Sequence, residues 1–375
     1  MRRVYCDYAA TTPIHPDVAA AMMAAPAGNP SSLHAEGRQA RAAVEAARRE
    51  VAALIGCKPA EIVFTSGGTE ADNLALFGAA MGRPVHLICS AVEHHAVLDA
   101  CQALARQGCE LTVVPVDRLG RLDPEQVRAA LRPHTAIVSV MLANNEVATI
   151  EPVAEIAAIC RANGVLCHTD AVQAVGKMPV DVGALDVDLL TLTAHKIYGP
   201  KGIGALYVRA GVELEPLVHG GGQERRWRPG TENVPGIVGF GRAAALARAG
   251  LEERAAHLRT LSQRLAAQVD FGEATGDPVH RLPGLCSYLF PGVDGQALLA
   301  ALDLAGVAAA SGSACTSGAP EPSHVLVAMG LPQEVALTAV RLAFGAPTTV
   351  EDVDFVAAVL RDTVARLRRK QVARA

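Results

Sequence analysis

A lysine that follows a buried strand is the first residue of this sequence that could do chemistry. Residues Leu189–Thr193 form an apolar run that ends in a polar residue, and Ala194, His195 and Lys196 come next, before a glycine-rich turn. Partly desolvated surroundings lower the pKa of a lysine and leave a neutral amine that can form a Schiff base. A surface lysine in a loop is the alternative interpretation, and this short motif alone does not decide between the two.

An acid ends another short apolar strand. Asp170 closes the segment that begins at Val165, and Gln173 follows three residues later. An enzyme that uses pyridoxal phosphate needs such a carboxylate, because it keeps the pyridine nitrogen protonated so that the ring can accept electrons. We therefore predict that Asp170 contacts the pyridine nitrogen and that Gln173 reaches the phenolic oxygen. The N-cap of a following helix is an alternative role for Asp170, and the two roles are compatible.

A glycine turn between a predicted strand and a predicted helix offers a place for a phosphate group. The strand covers residues 61–66, and the helix begins within Gly67-Gly68-Thr69. Glycine lets the backbone approach a ligand closely, and the first N–H groups of a helix attract anions. We predict Gly68 and Thr69 as phosphate contacts, although such a turn is common in α/β proteins.

Short apolar strands alternate with amphipathic helices along most of the chain, which predicts a mainly parallel sheet. Open sheets of this kind bind ligands beyond the carboxyl ends of their strands, where Lys196, Asp170 and Asn145 would lie. Asn145 is therefore a candidate for the phenolic oxygen of the cofactor or the carboxylate of the substrate. Arg341 interrupts an apolar strand. Its guanidinium must pair with an acid inside the protein or bind a carboxylate in a cleft.

Cys315 differs from the other eight cysteines in its surroundings. It lies in residues 310–323, where small residues and two prolines replace any apolar periodicity. Such a segment predicts an exposed loop, in which a thiol reacts once its pKa is lowered. An incidental surface cysteine is the alternative. The nine cysteines include no Cys-x-x-Cys pair, which predicts reduced thiols and no metal or cluster cage.

Composition and charge argue against several classes of protein. The 375 residues carry a net charge of -4, so we expect no surface for nucleic acid or for an anionic membrane. No apolar run reaches the ~18 residues of a membrane helix, and the first residues lack the apolar core of a signal peptide. We therefore expect a cytoplasmic protein that spans no membrane. Hydrophobic residues make up 50% of the chain and aromatic residues only 3%, which favours helices packed closely on a parallel sheet.

The sequence resembles, over nearly its whole length, the pyridoxal phosphate-dependent cysteine desulfurases of the NifS/IscS type, within the class V aminotransferase-like superfamily of fold type I. Ten markers of that family occur in order. They are Asp7-Tyr-Ala-Ala-Thr-Thr-Pro13, Gly28-Asn-Pro30, Phe64-Thr-Ser-Gly-Gly-Thr-Glu70, Glu93-His94, Asn144-Asn-Glu146, Asp170-Ala-Val-Gln173, His195-Lys-Ile-Tyr-Gly-Pro-Lys-Gly202, His219-Gly-Gly-Gly222, Pro229-Gly-Thr231 and Ser311-Gly-Ser-Ala-Cys-Thr-Ser317.

The resemblance implies an α/β fold with a large domain, built on a mainly parallel seven-stranded sheet, and a smaller C-terminal α/β domain. We expect an N-terminal arm at residues 1–15 that packs with the small domain. The large cofactor domain would cover 16–245, and the small domain, at 246–375, would carry the cysteine loop. The resemblance also implies a homodimer, because the threonine that corresponds to Thr231 reaches the phosphate of the neighbouring subunit in relatives.

Site roles are implied in the same way. His94 matches the histidine that stacks on the pyridine ring and can exchange protons with the substrate. Thr193 and His195 fall in the family's cofactor site, and Arg341 falls at its substrate carboxylate site. Cys315 matches the persulfide-forming cysteine of the family's first group, which carries it on a longer loop.

The implied activity is that of an L-cysteine desulfurase. It converts L-cysteine to L-alanine and moves the sulfur to Cys315 as a persulfide. An acceptor protein then receives the sulfur for iron–sulfur cluster assembly or for thiolation of tRNA or cofactors.

Two alternatives to this activity are open. Another pyridoxal phosphate enzyme, such as a selenocysteine lyase, an aminotransferase or a kynureninase-like hydrolase, could use the same core, and release of alanine from cysteine separates these activities. A sulfur carrier or regulatory protein without catalysis is the second alternative. The presence of Lys196, Asp170, His94 and Arg341 argues against it.

Overall fold

Twelve strands and thirteen α-helices occur in the part of the chain that this computed structural model describes, residues 2–312 and 321–372. The strands are β1 (Val4–Tyr5), β2 (Ile62–Thr65), β3 (His86–Ser90), β4 (Glu110–Val114), β5 (Thr135–Ser139), β6 (Leu166–Asp170), β7 (Leu189–Thr193), β8 (Gly204–Val208), β9 (Glu273–Ala274), β10 (Leu285–Leu289), β11 (Val307–Ala308) and β12 (Ala339–Ala343). The helices are α1 (Pro16–Met23), α2 (Ala35–Leu54), α3 (Gly68–Ala80), α4 (His95–Arg106), α5 (Pro124–Ala130), α6 (Val153–Ala162), α7 (Val182–Leu185), α8 (Val234–Ala249), α9 (Leu251–Ala266), α10 (Gly295–Leu304), α11 (His324–Ala328), α12 (Gln333–Ala336) and α13 (Val350–Val372).

A seven-stranded sheet forms the centre of the fold, in the order β2-β8-β7-β6-β5-β3-β4. Five neighbouring strands, from β7 to β4, pair in parallel. β8 runs antiparallel to both of its neighbours, β2 and β7. The mainly parallel seven-stranded sheet predicted from the sequence is thus present. Because β3, β5, β6 and β7 point the same way, the residues that follow them meet at one edge of the sheet.

Both faces of this sheet are covered by apolar side chains. Along β2, Ile62 and Phe64 belong to one core, whereas Val63 belongs to a second core. The same alternation separates Ile88 from Leu87 on β3. Since successive side chains of a strand point to opposite faces, helices pack on each side of the sheet and shield it from water.

The C-terminal part of the chain forms a smaller, three-stranded sheet. β10 pairs antiparallel with both β9 and β12, and a third core packs residues of α9, α10 and α13 against it. The first residues of the chain join this region, because β1 pairs in parallel with β11 and Asp7 forms a bridge with Ala343. The N-terminal segment is therefore held by elements that come last in the sequence.

The alanine-rich sequence of residues 238–269 predicts one long helix, and the structure divides it in two. α8 begins earlier, at Val234, and Gly250 separates it from α9. Glycine interrupts a helix without disturbing the apolar spacing on either side, so the pattern in the sequence continues across the break.

The longest helix of the described residues, α13, spans 23 residues and carries Glu351 and Asp352 in its first turn. Within residues 2–312 and 321–372, no helix combines the length and the apolar character needed to cross a bilayer.

Helices α2 and α8 pack against each other through a glycine. A Cβ atom on Gly241 of α8 would lie 2.5 Å from the Cα atom of Ala47 on α2. No such contact between carbon atoms is tolerated in a folded protein, so glycine is needed for this close approach.

We predict that Gly241→Ala lowers the free energy of unfolding by about 1–3 kcal/mol, because the two helices must move apart. The loss occurs although alanine has the higher intrinsic helix propensity. Urea unfolding measures it, with Gly222→Ala as the control, since a Cβ atom there meets no atom within 4 Å. An unchanged midpoint for Gly241→Ala would show that the helices adjust without cost.

Candidate cofactor and substrate site

A cavity of about 600 Å³ lies at the edge of the large sheet where β5, β6 and β7 end. Ten of the twelve predicted site residues line it, and they come from strand ends, helix starts and the smaller sheet. These ten are Gly68, Thr69, His94, Asn145, Asp170, Gln173, Thr193, His195, Lys196 and Arg341. Cys315 lies outside the described residues. Thr231 is exposed in the segment between β8 and α8 and does not line this cavity within the described chain.

Lys196 ends a single 3-10 turn, Ala194–Lys196, that follows β7 directly. Its Nζ donates hydrogen bonds to the carbonyl oxygen of Ala9 and, at 2.8 Å, to that of Ala10. Burial and, after it, the nearby Arg341 guanidinium lower the pKa of Lys196 from 10.5 to about 8. A substantial fraction of the amine is therefore neutral and nucleophilic near neutral pH.

Asp170 is the last residue of β6 and is 7% exposed. Its Oδ1 accepts a hydrogen bond of 2.8 Å from the backbone N–H of Val172. Burial raises the pKa of Asp170, and His94 and Lys196 oppose that rise when they are protonated. No helix starts after Asp170 within residues 171–181, so the helix N-cap considered above is wrong, and the bond to Val172 belongs to a turn.

His94 is the N-cap of α4, and its Nδ1 accepts a hydrogen bond of 3.1 Å from the backbone N–H of Ala96. A neutral ring in this position carries its proton on Nε2. Burial lowers the pKa of His94, which favours the neutral form. An uncharged ring at the cavity wall can stack on a flat aromatic ligand and exchange protons with it.

The start of α3 forms an anion cradle beside the same cavity. A Cβ atom on Gly67 would meet no atom within 4 Å, so the backbone there faces open space. The first N–H groups of a helix have no partner inside the helix, and the dipole adds positive potential. Lys201 and His195 line this space together with Gly68 and Thr69. Lys201 was not predicted as a site residue, although its position five residues after Lys196 was visible in the sequence.

Arg341 combines the two alternatives that the sequence left open. Its Nη2 donates to Asp7 Oδ1 and its Nη1 donates to the carbonyl oxygen of Asn145, both at 2.9 Å. The side chain also lines the cavity, and its buried Nε has no hydrogen-bond partner among the described residues. The ion pair with Asp7 is thus present, and binding of a substrate carboxylate stays a prediction.

Three further predicted residues tie the strand ends to the N-terminal segment and to β8. Gln173 Nε2 donates to the carbonyl oxygen of Ala9 at 2.8 Å. Thr193 Oγ1 donates to the carbonyl oxygen of Ile203 at 3.0 Å. His195 Nδ1 lies 3.1 Å from Thr11 Oγ1, and burial together with Lys196 and Lys201 lowers the pKa of His195 to about 4.

Asp72 is a cavity residue that sequence reasoning missed. It is 1% exposed, and its Oδ1 has no hydrogen-bond partner among the described residues; His168 Nε2 lies 3.6 Å away, in a ring whose pKa burial lowers to about 3. Burial and then the charge of Asp170 raise the pKa of Asp72 well above the ordinary value. The signal in the sequence was a set of polar residues inside apolar strands, such as His168 on β6 and Thr191 on β7.

These groups fit pyridoxal phosphate. An amine of lowered pKa and a buried carboxylate share one cavity, which matches a cofactor with an aldehyde and a basic ring nitrogen. The open backbone at Gly67 and the first turn of α3 match its phosphate. The imidazole of His94 supplies a flat surface for its ring.

Comparison with known proteins agrees with this fit. The model of the family Aminotransferase class-V matches residues 4–356. The chain belongs to this family. A protein named cysteine desulfurase IscS from Dictyoglomus turgidum is 46% identical to it, over 98% of this chain and 96% of that protein.

Two solved structures extend the comparison to the fold. A structure titled NifS-like protein has a TM-score of 0.91 and 36% identity, over 97% of this chain and all of that one. A structure titled SspA in complex with cysteine has a TM-score of 0.81 and 33% identity, over 92% and 99% of the two chains. The predicted family, its type I fold, its pyridoxal phosphate dependence and its desulfurase character are confirmed.

We predict that an aldehyde labels Lys196 increasingly as the pH rises through about 8. Only the neutral amine attacks a carbonyl, and burial lowers the pKa at which that form appears. Cofactor-free protein is treated with pyridoxal phosphate at each pH and reduced with borohydride, and mass spectrometry measures the modified Lys196 peptide. Lys196→Ala is the control. A midpoint near 10.5, the ordinary lysine value, would contradict the assigned environment.

Proposed function

We propose that this chain converts L-cysteine to L-alanine and transfers the sulfur to Cys315 as a persulfide. One observation carries the proposal: Lys196, Asp170 and Arg341 line a single cavity, together with Ser311 and Gly312, which precede Cys315 in the sequence. The names of relatives that match nearly the whole chain support the same activity.

The cofactor contacts follow from the chemistry of the cavity wall. Asp170 would hold the pyridine nitrogen protonated, and His94 would stack on the ring. Gly68 and Thr69 would hold the phosphate through the first turn of α3. Gln173 would donate to the phenolic oxygen, and Lys196 would bind the aldehyde carbon.

Further contacts come from neighbouring positions. Thr193 and His195 would complete the wall at the end of β7, and Asn145 would contact the phenolic oxygen or the substrate. Bound pyridoxal phosphate supplies an electron-withdrawing ring that stabilises negative charge at the α-carbon of the substrate.

Arg341 would orient the substrate. Its planar fork matches a carboxylate, and its Nε is buried beside the cavity without a partner among the described residues. Asp7 already holds one Nη atom, which fixes the guanidinium before the substrate arrives. A carboxylate placed there sets the α-proton of cysteine toward Lys196.

Lys196 would carry that proton. Its pKa of about 8 lets the amine accept a proton near neutral pH and release it again. The carbonyl oxygens of Ala9 and Ala10 hold the amine at the cavity wall. The same group therefore serves as covalent anchor and as acid–base catalyst.

The sulfur step needs no external oxidant. The Cys315 thiolate attacks the sulfur atom of the substrate, a new S–S bond forms, and the bond between that sulfur and the β-carbon breaks. The electron pair stays with the β-carbon, which takes a proton and becomes the methyl group of alanine. The persulfide then carries the transferred sulfur to an acceptor.

The wider organisation belongs to the same proposal. Residues 1–15 would form an arm, 16–245 a large domain and 246–375 a small domain, a division supported by the separate core around β10. Exposed Thr231 would reach the phosphate site of a second copy in a homodimer. The acceptor would be an iron–sulfur scaffold or a thiolation enzyme in the cytoplasm, without direct contact to nucleic acid or a membrane.

We predict that Arg341→Lys lowers kcat/KM for cysteine by about 10- to 150-fold, or about 1.5–3 kcal/mol, because an ammonium group cannot replace the bidentate fork. Release of alanine measures this. Asp7→Asn is the matched control, since it removes the ion pair and leaves the guanidinium in place. If the two variants lose activity equally, or if Arg341→Lys keeps full activity, Arg341 has only a structural role.

The decisive test of the activity is Cys315→Ser. A hydroxyl is almost never ionised near neutral pH, whereas a thiol is partly so. The variant should bind cysteine and keep its cofactor, yet form no protein persulfide and release little alanine.

Mass spectrometry after incubation with cysteine locates the added sulfur. Cys89→Ser and Cys167→Ser are controls, because both thiols are buried in strands of the large sheet. Undiminished turnover in Cys315→Ser, or extra sulfur on another cysteine, would show that the proposed mechanism is wrong.

A further inference from the structure

Gln173 is held at both ends of its amide by groups outside the ten predicted cavity residues. Its Nε2 donates to the carbonyl oxygen of Ala9 at 2.8 Å, and its Oε1 accepts a hydrogen bond of 2.7 Å from Lys177 Nζ. Lys177 lies four residues further along the chain, in the turns between β6 and α7. It does not line the cofactor cavity, so the proposed mechanism gives it no role.

The two contacts determine the orientation of the Gln173 amide, with Nε2 toward Ala9 and Oε1 toward Lys177. A backbone carbonyl can only accept a hydrogen bond, so Ala9 requires the NH₂ end of the side chain. The protonated amine of Lys177 can only donate and so requires the oxygen end, and Ala9 requires the same orientation when that amine is neutral. Reversal of the amide would place two donors together at Lys177 and two acceptors together at Ala9. Lys177 therefore keeps Oε1 turned away from the cavity that Gln173 lines.

The orientation matters for the ligand because a cofactor phenolic oxygen accepts hydrogen bonds when it is ionised. Nε2 has two N–H groups, and Ala9 takes one of them. The second N–H is the group that can donate to the phenolic oxygen. With Oε1 in place of this N–H group, two oxygen acceptors would face each other, which disfavours binding of the cofactor.

The surroundings of Lys177 suit a positioning role rather than an ion pair. Among the described residues, no carboxylate oxygen lies within 4.0 Å of its amine, which donates its hydrogen bond to the neutral Gln173 side chain. Burial, followed by the charges of Lys196 and Arg341, lowers the pKa of Lys177 to about 7. A buried cation without an acidic partner is costly, so its retention at this position calls for a function.

Lys177 borders a second cavity, which meets the cofactor cavity at Lys196. This cavity has a volume of about 440 Å³ and is bounded by Tyr8, Gly176, Tyr198 and Arg254 among others. It leaves space beside the lysine side chain. A longer guanidinium side chain therefore fits at position 177, which makes a conservative variant available.

We propose that Lys177 is a positioning residue, which holds the Gln173 amide so that its N–H group, and not its oxygen, faces the phenolic oxygen of the cofactor. The inference rests on the proposed cofactor contact of Gln173. It adds a residue that touches neither cofactor nor substrate and acts through its hydrogen bond to Gln173.

A double-mutant cycle on the full-length protein tests this. Lys177→Met, Gln173→Ala and the double variant are compared with the wild type by equilibrium dialysis of pyridoxal phosphate and by the absorbance maximum of the bound cofactor. We expect Lys177→Met to weaken cofactor binding about five- to tenfold in the wild type and less than about twofold when Gln173 is alanine. We also expect Lys177→Met to shift the absorbance maximum of the bound cofactor when Gln173 is present. This shift should disappear in the Gln173→Ala background.

Two further variants serve as rescue and control. Lys177→Arg keeps a donor, and binding should stay within about twofold of the wild type. Lys58→Met removes one positive charge at an exposed position and should change neither binding nor absorbance. If Lys177→Met does not fold, Lys177→Ala replaces it in the cycle.

The possible results distinguish the positioning role of Lys177 from the proposed desulfurase activity. Equal losses from Lys177→Met in both backgrounds would show that Lys177 does not act through Gln173 and would overturn the inference. Unchanged binding in Gln173→Ala would overturn both the contact of Gln173 and the inference. The desulfurase activity is judged independently, by release of alanine from cysteine and by sulfur on Cys315.

Discussion

Burial of opposite charges at one edge of a parallel sheet is the constraint on which this structure depends. The amine of Lys196 and the carboxylate of Asp170 follow neighbouring strands, so the fold brings them to a common cavity. Burial disfavours the charged form of both groups, and each partly restores the charge of the other. Because burial lowers its pKa to about 8, the amine of Lys196 is partly neutral and can react near neutral pH. Asp72 adds a second buried carboxyl group beside Asp170, which favours the protonated form of Asp72.

The N-terminal segment supplies hydrogen-bond acceptors to the cavity residues that the sheets position. Carbonyl oxygens of Ala9 and Ala10 accept hydrogen bonds from Lys196, and Ala9 also accepts one from Gln173. Asp7 holds the guanidinium of Arg341. These three residues, which lie outside the named strands and helices, thus connect the large sheet with the smaller one. Their backbone and side-chain acceptors offset the cost of burying several cations together.

The ends of the strands could be predicted from the sequence, whereas contacts between residues far apart in the sequence could not. Lys196 and Asp170 were found because an apolar run followed by polar residues marks the end of a buried strand. Asp72 and Lys177 were missed because they lie inside a helix and in a turn, where a polar residue carries no distinctive pattern of its own. For Asp72 the only signal was indirect, in the polar residues His168 and Thr191 inside apolar strands. The pairing of Asp7 with Arg341 joins positions 334 residues apart, and no local periodicity records such a contact. The break at Gly250 was missed because the apolar spacing continues across it.

The pairing of the first strand with late elements also has a consequence for synthesis. β1 pairs with β11, and Asp7 bridges Ala343 beside β12. β1 therefore has no partner strand until β11 has been translated. The large sheet can form earlier, since its strands lie between residues 62 and 208. Closing the cavity is thus a late event in biogenesis, because a nascent chain that stops before β12 lacks both Arg341 and Ala343, the residue that bridges Asp7.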